Sequence, residues 1–538
     1  MKQHVTTLTK SLLLVFFIFS CHSERQQNIE LKVPSLAKEK KSTKEKNAKK
    51  GIEQIAEYQR DIRKPIGAEK SDYKKGYLLE AYKKARKSAE TGRDSKSLVA
   101  TFTDRGPANV PGRTRDIAVD PTDDQRWFVG TVGGGVWLTE DGGTTWSSVT
   151  DNKLPNLATS TVVISPQDKN TLYVGTGEPF GNLGAIGGSG VFKTIDGGVN
   201  WTQLTGTAAF GDVGRIIMNP NDKDNVLIAT TSGIYRTTDG GTNWTQTYSG
   251  GNVQDLDATL GNFNVLYGSV NGTGVVKSTD AGATWSLAFD VSTVNENHRR
   301  IETDISEVDP DVVILCAYSP SGGTQSPTTD LYMSRDAGAS FTNLSSTGTV
   351  ARRDLVGGQG WYDNIVLAHP FDENSFYVGG VELFKVTVNP VDETFVASEI
   401  AATQQNGNLI QINTNVHVDQ HGLIAIEAPD PNPNSEFRLV LANDGGIHTT
   451  AMDTDPGVAP ASWTDAVIGK NSTQFYGADK RNSSNDYLGG AQDNGSWLTS
   501  MDNTTSTSTY SSAFGGDGFE CIWHYDNPND FIVTSQGN

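Results

Sequence analysis

The chain has 538 residues, among them 57 Gly, and its 44 Lys and Arg against 63 Asp and Glu give a net charge of −19. Residues 1–100 carry 23 basic and 12 acidic side chains, a net +11, so residues 101–538 carry −30. A body this acidic repels phosphate backbones, which excludes nucleic acid as a partner. The length exceeds one ordinary globular core but suits a repeat fold.

Residues 1–21 have the pattern of an export signal. Two Lys residues precede the run "SLLLVFFIFSC" (11–21), whose apolar part is too short to span a bilayer. Its end, "IFSC", resembles a lipobox, the bacterial signal for lipidation of Cys and cleavage just before it. The prediction is a lipoprotein-type signal peptide with lipidation at Cys21, and therefore an exported protein held at the bacterial outer membrane or cell surface by a lipid. An ordinary cleavable signal with a chance Cys is the alternative.

Residues 22–100 are predicted to form a charged tether. The stretch 37–50 is rich in Lys and Glu and poor in apolar residues, which is typical of disorder. Between residues 71 and 90, Tyr, Leu and Ala recur at helical spacing, so the tether is expected to contain a helix or two.

From about residue 101 the sequence is a series of repeats. Each unit has an apolar strand ending in a Pro-containing turn, a second and a third strand, and an octapeptide that turns the chain into a fourth strand. The octapeptide is written five times: "TEDGGTTW" (139–146), "TIDGGVNW" (194–201), "TTDGGTNW" (237–244), "STDAGATW" (278–285) and "SRDAGASF" (334–341). Four short antiparallel strands per repeat of roughly 40 to 45 residues predict an all-β, multi-bladed β-propeller.

Eight blades and part of a ninth are expected over residues 101–538. Five carry the octapeptide, and a sixth near 359–400 lacks it. Later blades follow at about 413–465 and 472–514, and the stretch 515–538 supplies two strands of a ninth. We expect the natural protein to continue beyond the last residue.

The repeated Asp of the octapeptide is predicted to be structural. Its carboxylate can accept backbone N–H bonds inside a hairpin turn, the Gly residues supply positive φ, and the final aromatic packs on the blade. The pattern S/T-x-D-x-G-x-T/N-W resembles the Asp-box, or BNR repeat, of sialidases, family 74 glycoside hydrolases (xyloglucanases) and sortilin-type propellers. The resemblance implies that these residues lie at the outer rim, away from any site: Asp141, Asp196, Asp239, Asp280 and Asp336.

Two segments that depart from the plain repeat are candidate binding loops. The first is the Gly-rich insertion "GTGEPFGNLGAIGGSG" (175–190), where Glu178 and Phe180 stand out and where edge cover is the alternative role.

The second candidate loop holds Trp361, Tyr362 and Asp363, directly before a first strand of a blade. Exposed aromatic rings stack on sugar faces and Asp binds hydroxyl groups, so this trio is a candidate polysaccharide subsite. A buried aromatic at a contact between blades is the alternative.

A third segment suggests a divalent cation. His417, Asp419 and His421 alternate, and on a strand all three would face one side. Imidazole and carboxylate in this spacing can ligate a divalent metal, which is the one cofactor that the sequence suggests. A hydrogen-bonded structural cluster is the alternative.

Three Asp–Gly or Asp–Asn pairs give the candidate catalytic and binding carboxylates. Asp444 lies in "NDGG", which resembles one catalytic segment of family 74 enzymes, and Asp493 and Asp517 lie in similar strings. Those enzymes use two facing carboxylates, one acid and one base. At the place where the resemblance expects the other catalytic Asp, this chain has Val132, which argues against hydrolysis of that type.

Sialidase activity is also disfavoured. Sialidases hold the substrate carboxylate with three Arg residues, and Arg113 or Arg115, Arg215 and Arg300 do precede first strands of blades. The N-terminal "RIP" motif of that family is absent from the chain.

Together these features predict an exported, lipid-anchored propeller that binds polysaccharide or a cell-envelope protein. The alternative is a glycoside hydrolase, xyloglucanase-like, or a lyase acting on a complex polysaccharide, for which Asp444 is the best single candidate.

Overall fold

The computed structural model describes residues 64, 67–69, 77–90, 103–182, 185–294, 297–320, 328–346, 355–401, 416–429, 432–458, 462–499, 504–527 and 529–535. The predicted signal peptide, with Cys21, and most of the charged tether lie outside the described residues. Helix α1, Tyr77–Glu90, falls inside the stretch whose spacing predicts a helix, and it buries Leu79. None of the helices in the described part of the chain combines the length and the apolar composition that crossing a bilayer requires.

Five antiparallel sheets of four strands follow one another along the first half of the body. Each is contiguous in sequence and its strands pair in chain order, which is the arrangement expected of propeller blades. Blades I to V consist of β1 (Thr114–Asp120), β2 (Asp123–Thr131), β3 (Gly135–Thr139) and β4 (Ser147–Ser148); β5 (Thr159–Ser165), β6 (Asp168–Thr176), β7 (Val191–Thr194) and β8 (Thr202–Gln203); β9 (Val213–Asn219), β10 (Asp222–Thr230), β11 (Gly233–Thr237) and β12 (Thr245–Tyr248); β13 (Val253–Ala258), β14 (Leu266–Val270), β15 (Gly274–Ser278) and β16 (Ser286–Asp290); and β17 (Arg300–Ile305), β18 (Val313–Ser319), β19 (Thr328–Ser334) and β20 (Thr342–Asn343).

Four further sheets complete the described body. Blade VI has a fifth strand, β21, which runs parallel to β25 at its outer edge, whereas the last sheet has two strands. Blades VI to IX consist of β21 (Ser345–Ser346), β22 (Ile365–His369), β23 (Asp372–Gly379), β24 (Leu383–Asn389) and β25 (Thr394–Ala401); β26 (Gln420–Glu427), β27 (Phe437–Asn443), β28 (Gly446–Thr450) and β29 (Trp463–Asp465); β30 (Phe475–Lys480), β31 (Tyr487–Ala491), β32 (Gly495–Leu498) and β33 (Ser511–Phe514); and β34 (Gly518–Trp523) and β35 (Phe531–Ser535).

Blades I to VII close into a ring. Their first strands pack on one another in sequence, from β1 to β5 and onward, and β26 of blade VII packs on β1 of blade I. The seam between the last and first blades is an apolar core in which Ile117, Trp127 and Val129 meet Val440 and Ile447. Closure therefore depends on face-to-face burial, and among the described strands none is shared between these two blades.

Blades VIII and IX lie outside this ring. The first strand of blade IX, β34, packs on β30 and β31 of blade VIII, with Leu488, Cys521 and Trp523 at the shared core. The nine sheets thus belong to a seven-bladed ring and a separate pair, a division that the spacing of repeats does not show. Cys316 lies in blade V and Cys521 in blade IX, both are buried, and no disulfide joins them.

The five octapeptides form the turns between the third and fourth strands of blades I to V. In each, the Asp accepts a hydrogen bond from the backbone N–H four residues on, at 2.8 Å in the turn of Asp141 and 2.9 Å in that of Asp239. The residue four positions on donates to the Asp from its side chain as well as from its backbone N–H. These two hydrogen bonds lower the pKa of four of the carboxyls to about 2: Asp196, Asp239, Asp280 and Asp336. Their hydrogen-bonding capacity is used by the turn itself.

The last residue of the octapeptide joins one blade to the preceding one. Trp201 of blade II donates its indole N–H to the carbonyl of Val149 in blade I, at 3.0 Å. Trp146 of blade I does the same to Ala466 next to blade VII, also at 3.0 Å. Trp285 of blade IV donates likewise to Thr247 of blade III at 3.2 Å, whereas the indole N–H of Trp244 has no acceptor among the described residues. The contact of Trp146 across the seam thus matches those of Trp201 and Trp285, which is consistent with a closed ring.

Replacing Trp127 by Ala tests the seam. Trp127 is fully buried, so we expect the free energy of unfolding to fall by about 3–5 kcal/mol through lost burial and a cavity between blades I and VII. Chemical denaturation measures the change. Trp361→Ala is the matched control because its ring is 37% exposed, and it should cost less than about 1 kcal/mol. Equal losses in the two variants would contradict the role assigned to the seam.

Candidate functional site

The candidate residues meet at one edge of the ring. Antiparallel pairing places the start of a first strand beside the end of the second strand of the same blade. Arg113 and Arg300 lie at the starts of β1 and β17, whereas Glu178 and Asp444 follow the ends of β6 and β27. Segments far apart in sequence therefore bring charged groups to a common mouth of the central channel.

Arg113 connects four blades at this mouth. Its guanidinium donates to Asp444 through Nε at 2.6 Å, to the hydroxyl of Tyr362 through Nη1 at 2.6 Å, and to Asp493 through Nη2. Burial alone would lower the pKa of Arg113, but the charge of Asp444, with that of Asp493, holds it well above its ordinary value. The group is therefore a fixed cation.

The Gly-rich insertion lies across the channel mouth. The Glu178 carboxylate accepts a hydrogen bond from the hydroxyl of Tyr362 at 2.7 Å. The ring of Phe180 is covered by the guanidinium groups of Arg115 and Arg300, at 4.5 and 4.2 Å from its centroid. Glu178 and Phe180, predicted as members of a binding loop, are held by these protein contacts.

Only one residue of the predicted aromatic subsite is open to solvent. Tyr362 and Asp363 are buried, at 6% and 1% exposure, so Tyr362 cannot present its ring to a sugar. Trp361 is 37% exposed and remains available for stacking. The expectation of an exposed trio is wrong for two of its members, because both turn inward, Tyr362 to Arg113 and Asp363 to His421.

The predicted metal trio does not converge. Strand β26 begins at Gln420, so His417 and Asp419 precede it, and Asp419 adopts a left-handed φ of 66° that breaks any alternation. The ring nitrogens of His417 contact the carbonyls of Val418 at 2.9 Å and Asp493 at 3.1 Å. Within the described ranges, no group of three or more His, Cys, Asp or Glu side chains could hold a metal ion.

Asp444, Asp493 and Asp517 form a row of neighbouring carboxylates, called here the carboxylate row. Asp493 and Asp444 both bind Arg113, and the backbone N–H of Asp493 donates to Asp517 at 2.7 Å. Burial, followed by the charge of a neighbouring carboxylate, raises the pKa of Asp493 and of Asp517 to about 6. Carboxyl groups of the row therefore remain protonated up to about pH 6, which is close to neutral.

Exposure separates the members of the row. The side chain of Asp493 is 20% exposed, whereas that of Asp444 is 3% exposed. Asp419 lies beside the row, and burial with the charges of Asp444 and Asp493 raises its pKa to about 7. Asp493 is accordingly the member with both a raised pKa and access to solvent.

Val132 lies in the turn between β2 and β3, next to the site but without a polar side chain. It is buried, and its backbone N–H donates to the carbonyl of Arg113 at 3.0 Å. A buried Val cannot replace the catalytic Asp that the resemblance expects there.

Sequence reasoning missed the central role of Arg113, which it considered only as one of three sialidase-type Arg residues. Arg215 is not part of the mouth cluster: it pairs with Asp255 at 3.2 Å and with Asp116 at 3.6 Å. Two features of the sequence point to Arg113. It lies directly before the first strand of a blade, and later blades carry Asp–Gly and Asp–Asn pairs that could neutralise it. Its partners could not be read from sequence, because they lie 331 and 380 residues away.

Curated relatives of the chain are xyloglucanases. A probable oligoxyloglucan-reducing end-specific xyloglucanase of Neosartorya fischeri is 25% identical over 288 residues, which cover 46% of this chain and 30% of the relative. An oligoxyloglucan-reducing end-specific xyloglucanase of Emericella nidulans is 30% identical over 104 residues, 18% of this chain and 12% of the relative. The chain thus spans less than a third of the length of these relatives. No family model matches it.

Solved structures of family 74 glycoside hydrolases resemble the chain over most of its length. An ancestral enzyme of this family has a TM-score of 0.58 at 16% identity, with 82% of this chain and 60% of that chain covered. The enzyme of Niastella koreensis has a TM-score of 0.56 at 17% identity, covering 81% and 65%. The xyloglucanase from Xanthomonas campestris gives 0.55 at 14%, covering 81% and 67%. The chain is a β-propeller protein similar to the propellers of family 74 xyloglucanases.

Proposed function

We propose that this protein is a glycoside hydrolase acting on a complex polysaccharide of the xyloglucan class, with Asp493 as general acid. The observation that carries the proposal is the carboxylate row, in which Asp493 is partly exposed and its pKa is raised to about 6. A general acid must hold a proton at the working pH and reach the glycosidic oxygen. Asp493 meets both requirements better than Asp444, which is buried beneath Arg113.

The surroundings of Asp493 suit this role. Arg113 binds one carboxylate oxygen, which fixes the orientation of the group, while burial and the negative charge of Asp444 raise its pKa against the opposing charge of Arg113. The half-exposed Trp361 lies in the segment next to Tyr362, itself bonded to Arg113, and offers a stacking surface for a sugar ring. The xyloglucanase names of the similar proteins support the choice of substrate class.

Binding of polysaccharide without hydrolysis is the second candidate. Val132 favours it, since the resemblance expects a second catalytic Asp at this position and the side chain here is a buried hydrocarbon. An inverting glycosidase needs a base about 6.5–9.5 Å from its acid.

Export and lipid anchoring form a separate proposal that rests on the pattern of residues 1–21. Expressed in a bacterium fed radiolabelled palmitate, the protein should incorporate label and fractionate with membranes. Cys21→Ala should abolish both. Label retained in this variant would contradict lipidation at Cys21.

A polysaccharide panel separates hydrolysis from binding. We expect release of reducing ends from xyloglucan, and a fall of kcat by about 10²- to 10⁴-fold in Asp493→Asn, because the acid can no longer protonate the leaving group. Asp151→Asn, an exposed carboxyl on blade I, is the matched control and should retain full activity. Retention of polysaccharide without release by the unmodified protein would favour binding alone, and unchanged release by Asp493→Asn would refute Asp493 as the acid.

The pH dependence gives an independent check of the protonated form. Because the pKa of Asp493 is raised to about 6, the acid form prevails below that pH and is lost as pH rises through it. We expect kcat/KM to decline above about pH 6, by tenfold per pH unit at the limit. A profile flat from pH 5 to pH 8 would contradict a general acid with this pKa.

A further inference from the structure

His421 lies between two carboxylates and an Arg. Its Nε2 is 2.5 Å from Oδ1 of Asp444, and its Nδ1 is 3.1 Å from Nη1 of Arg115. A guanidinium can only donate, so Nδ1 must accept from Arg115 and cannot carry a hydrogen. The ring hydrogen is therefore on Nε2, and it is donated to Asp444.

The charged groups around His421 favour its neutral form. Burial lowers its pKa well below the ordinary value, and the positive charges of Arg115, Arg113 and Arg300 lower it further, as does His417. The carboxyl groups of Asp363 and Asp444 lie beside its two ring nitrogens, Nδ1 and Nε2 respectively.

The carboxyl of Asp363 faces Nδ1 of His421, and burial favours its uncharged form as well. Its Oδ1 is 3.2 Å from Nδ1 of His421, and no donor in the described part of the chain makes a hydrogen bond to either carboxyl oxygen. Burial, then the charges of Asp419 and Asp444, raises its pKa well above the ordinary value. A buried carboxyl without donors is stable as the neutral acid.

We propose that neutral His421 is a positioning residue that, with Arg113, holds Asp444 as the anion of the carboxylate row and so leaves the proton of the row on Asp493. This inference rests on the proposed function for its consequence in catalysis, but the protonation pattern itself does not. Asp444 receives two donors, Nε of Arg113 and Nε2–H of His421. Of the donors on Arg and His, Asp493 receives only that of Arg113, and Asp493 is nearer to solvent. A proton shared between the two is therefore directed to Asp493.

The protonation pattern can be measured without substrate. In protein labelled with ¹⁵N-histidine, two-bond ¹H–¹⁵N correlation spectra distinguish the two neutral tautomers and the imidazolium, and His421→Gln identifies the signal. We expect a neutral Nε2–H ring that does not titrate between pH 5 and pH 8. An Nδ1–H ring, or an imidazolium in this range, would overturn the inference.

Three variants test the role in catalysis. In His421→Leu the donor to Asp444 is lost, and we expect kcat to fall about tenfold or more with KM little changed. His421→Gln retains an N–H donor near the position of Nε2 and should recover most of this loss. Asp151→Asn, at an exposed carboxyl on blade I, is the control, and its kcat and pH profile should stay within about twofold of those of the unmodified protein. Equal activity of His421→Leu and His421→Gln would indicate packing alone and would overturn the inference.

The two failures are distinguishable. If the unmodified protein releases no reducing ends from any polysaccharide, the proposed hydrolase function fails, and the tautomer of His421 still decides the protonation pattern. If hydrolysis occurs but His421 is an imidazolium, the function survives and the inference does not.

Discussion

A buried guanidinium among carboxylates is the constraint on which the candidate site depends. Arg113 emerges at the start of blade I and reaches groups from blades VI, VII and VIII, so one side chain fixes the relative positions of four blades at the mouth. Removing a cation from water is costly unless its N–H groups find hydrogen-bond acceptors, and here each of the three guanidinium nitrogens of Arg113 has one. Burial, and then the negative charge of neighbouring carboxylates, raises the pKa of Asp493 and of Asp517 to about 6.

The cations at the mouth also account for the contacts of the Gly-rich insertion. The hydroxyl of Tyr362, which accepts from Arg113, donates to Glu178, and the ring of Phe180 packs against the guanidinium groups of Arg115 and Arg300. The insertion between β6 and β7 is therefore part of the charge network. Asp493, the proposed general acid, lies between β31 and β32 of blade VIII, outside the ring of blades I to VII.

Much of the fold could be predicted from sequence because its determinants are local. Alternating apolar strands, Pro-terminated turns and the Asp of each octapeptide act within about ten residues, and the strands and turns form where these patterns predict them. The ring of seven and the separate pair could not be predicted, since closure depends on Trp127 meeting Val440 across the seam. For the same reason, the sequence marks His417, Asp419 and His421 as candidate site residues but does not give their partners. The left-handed φ of Asp419 breaks the alternation, and Arg115 of blade I contacts His421.

The indole contacts between blades span very different lengths of chain. Trp201 and its acceptor Val149 are 52 residues apart, whereas Trp146 and Ala466 are 320 residues apart. Closing a longer loop costs more chain entropy. Closure of the ring is therefore the long-range step of folding, and the first blade gains its last inter-blade hydrogen bond only when blade VII is in place.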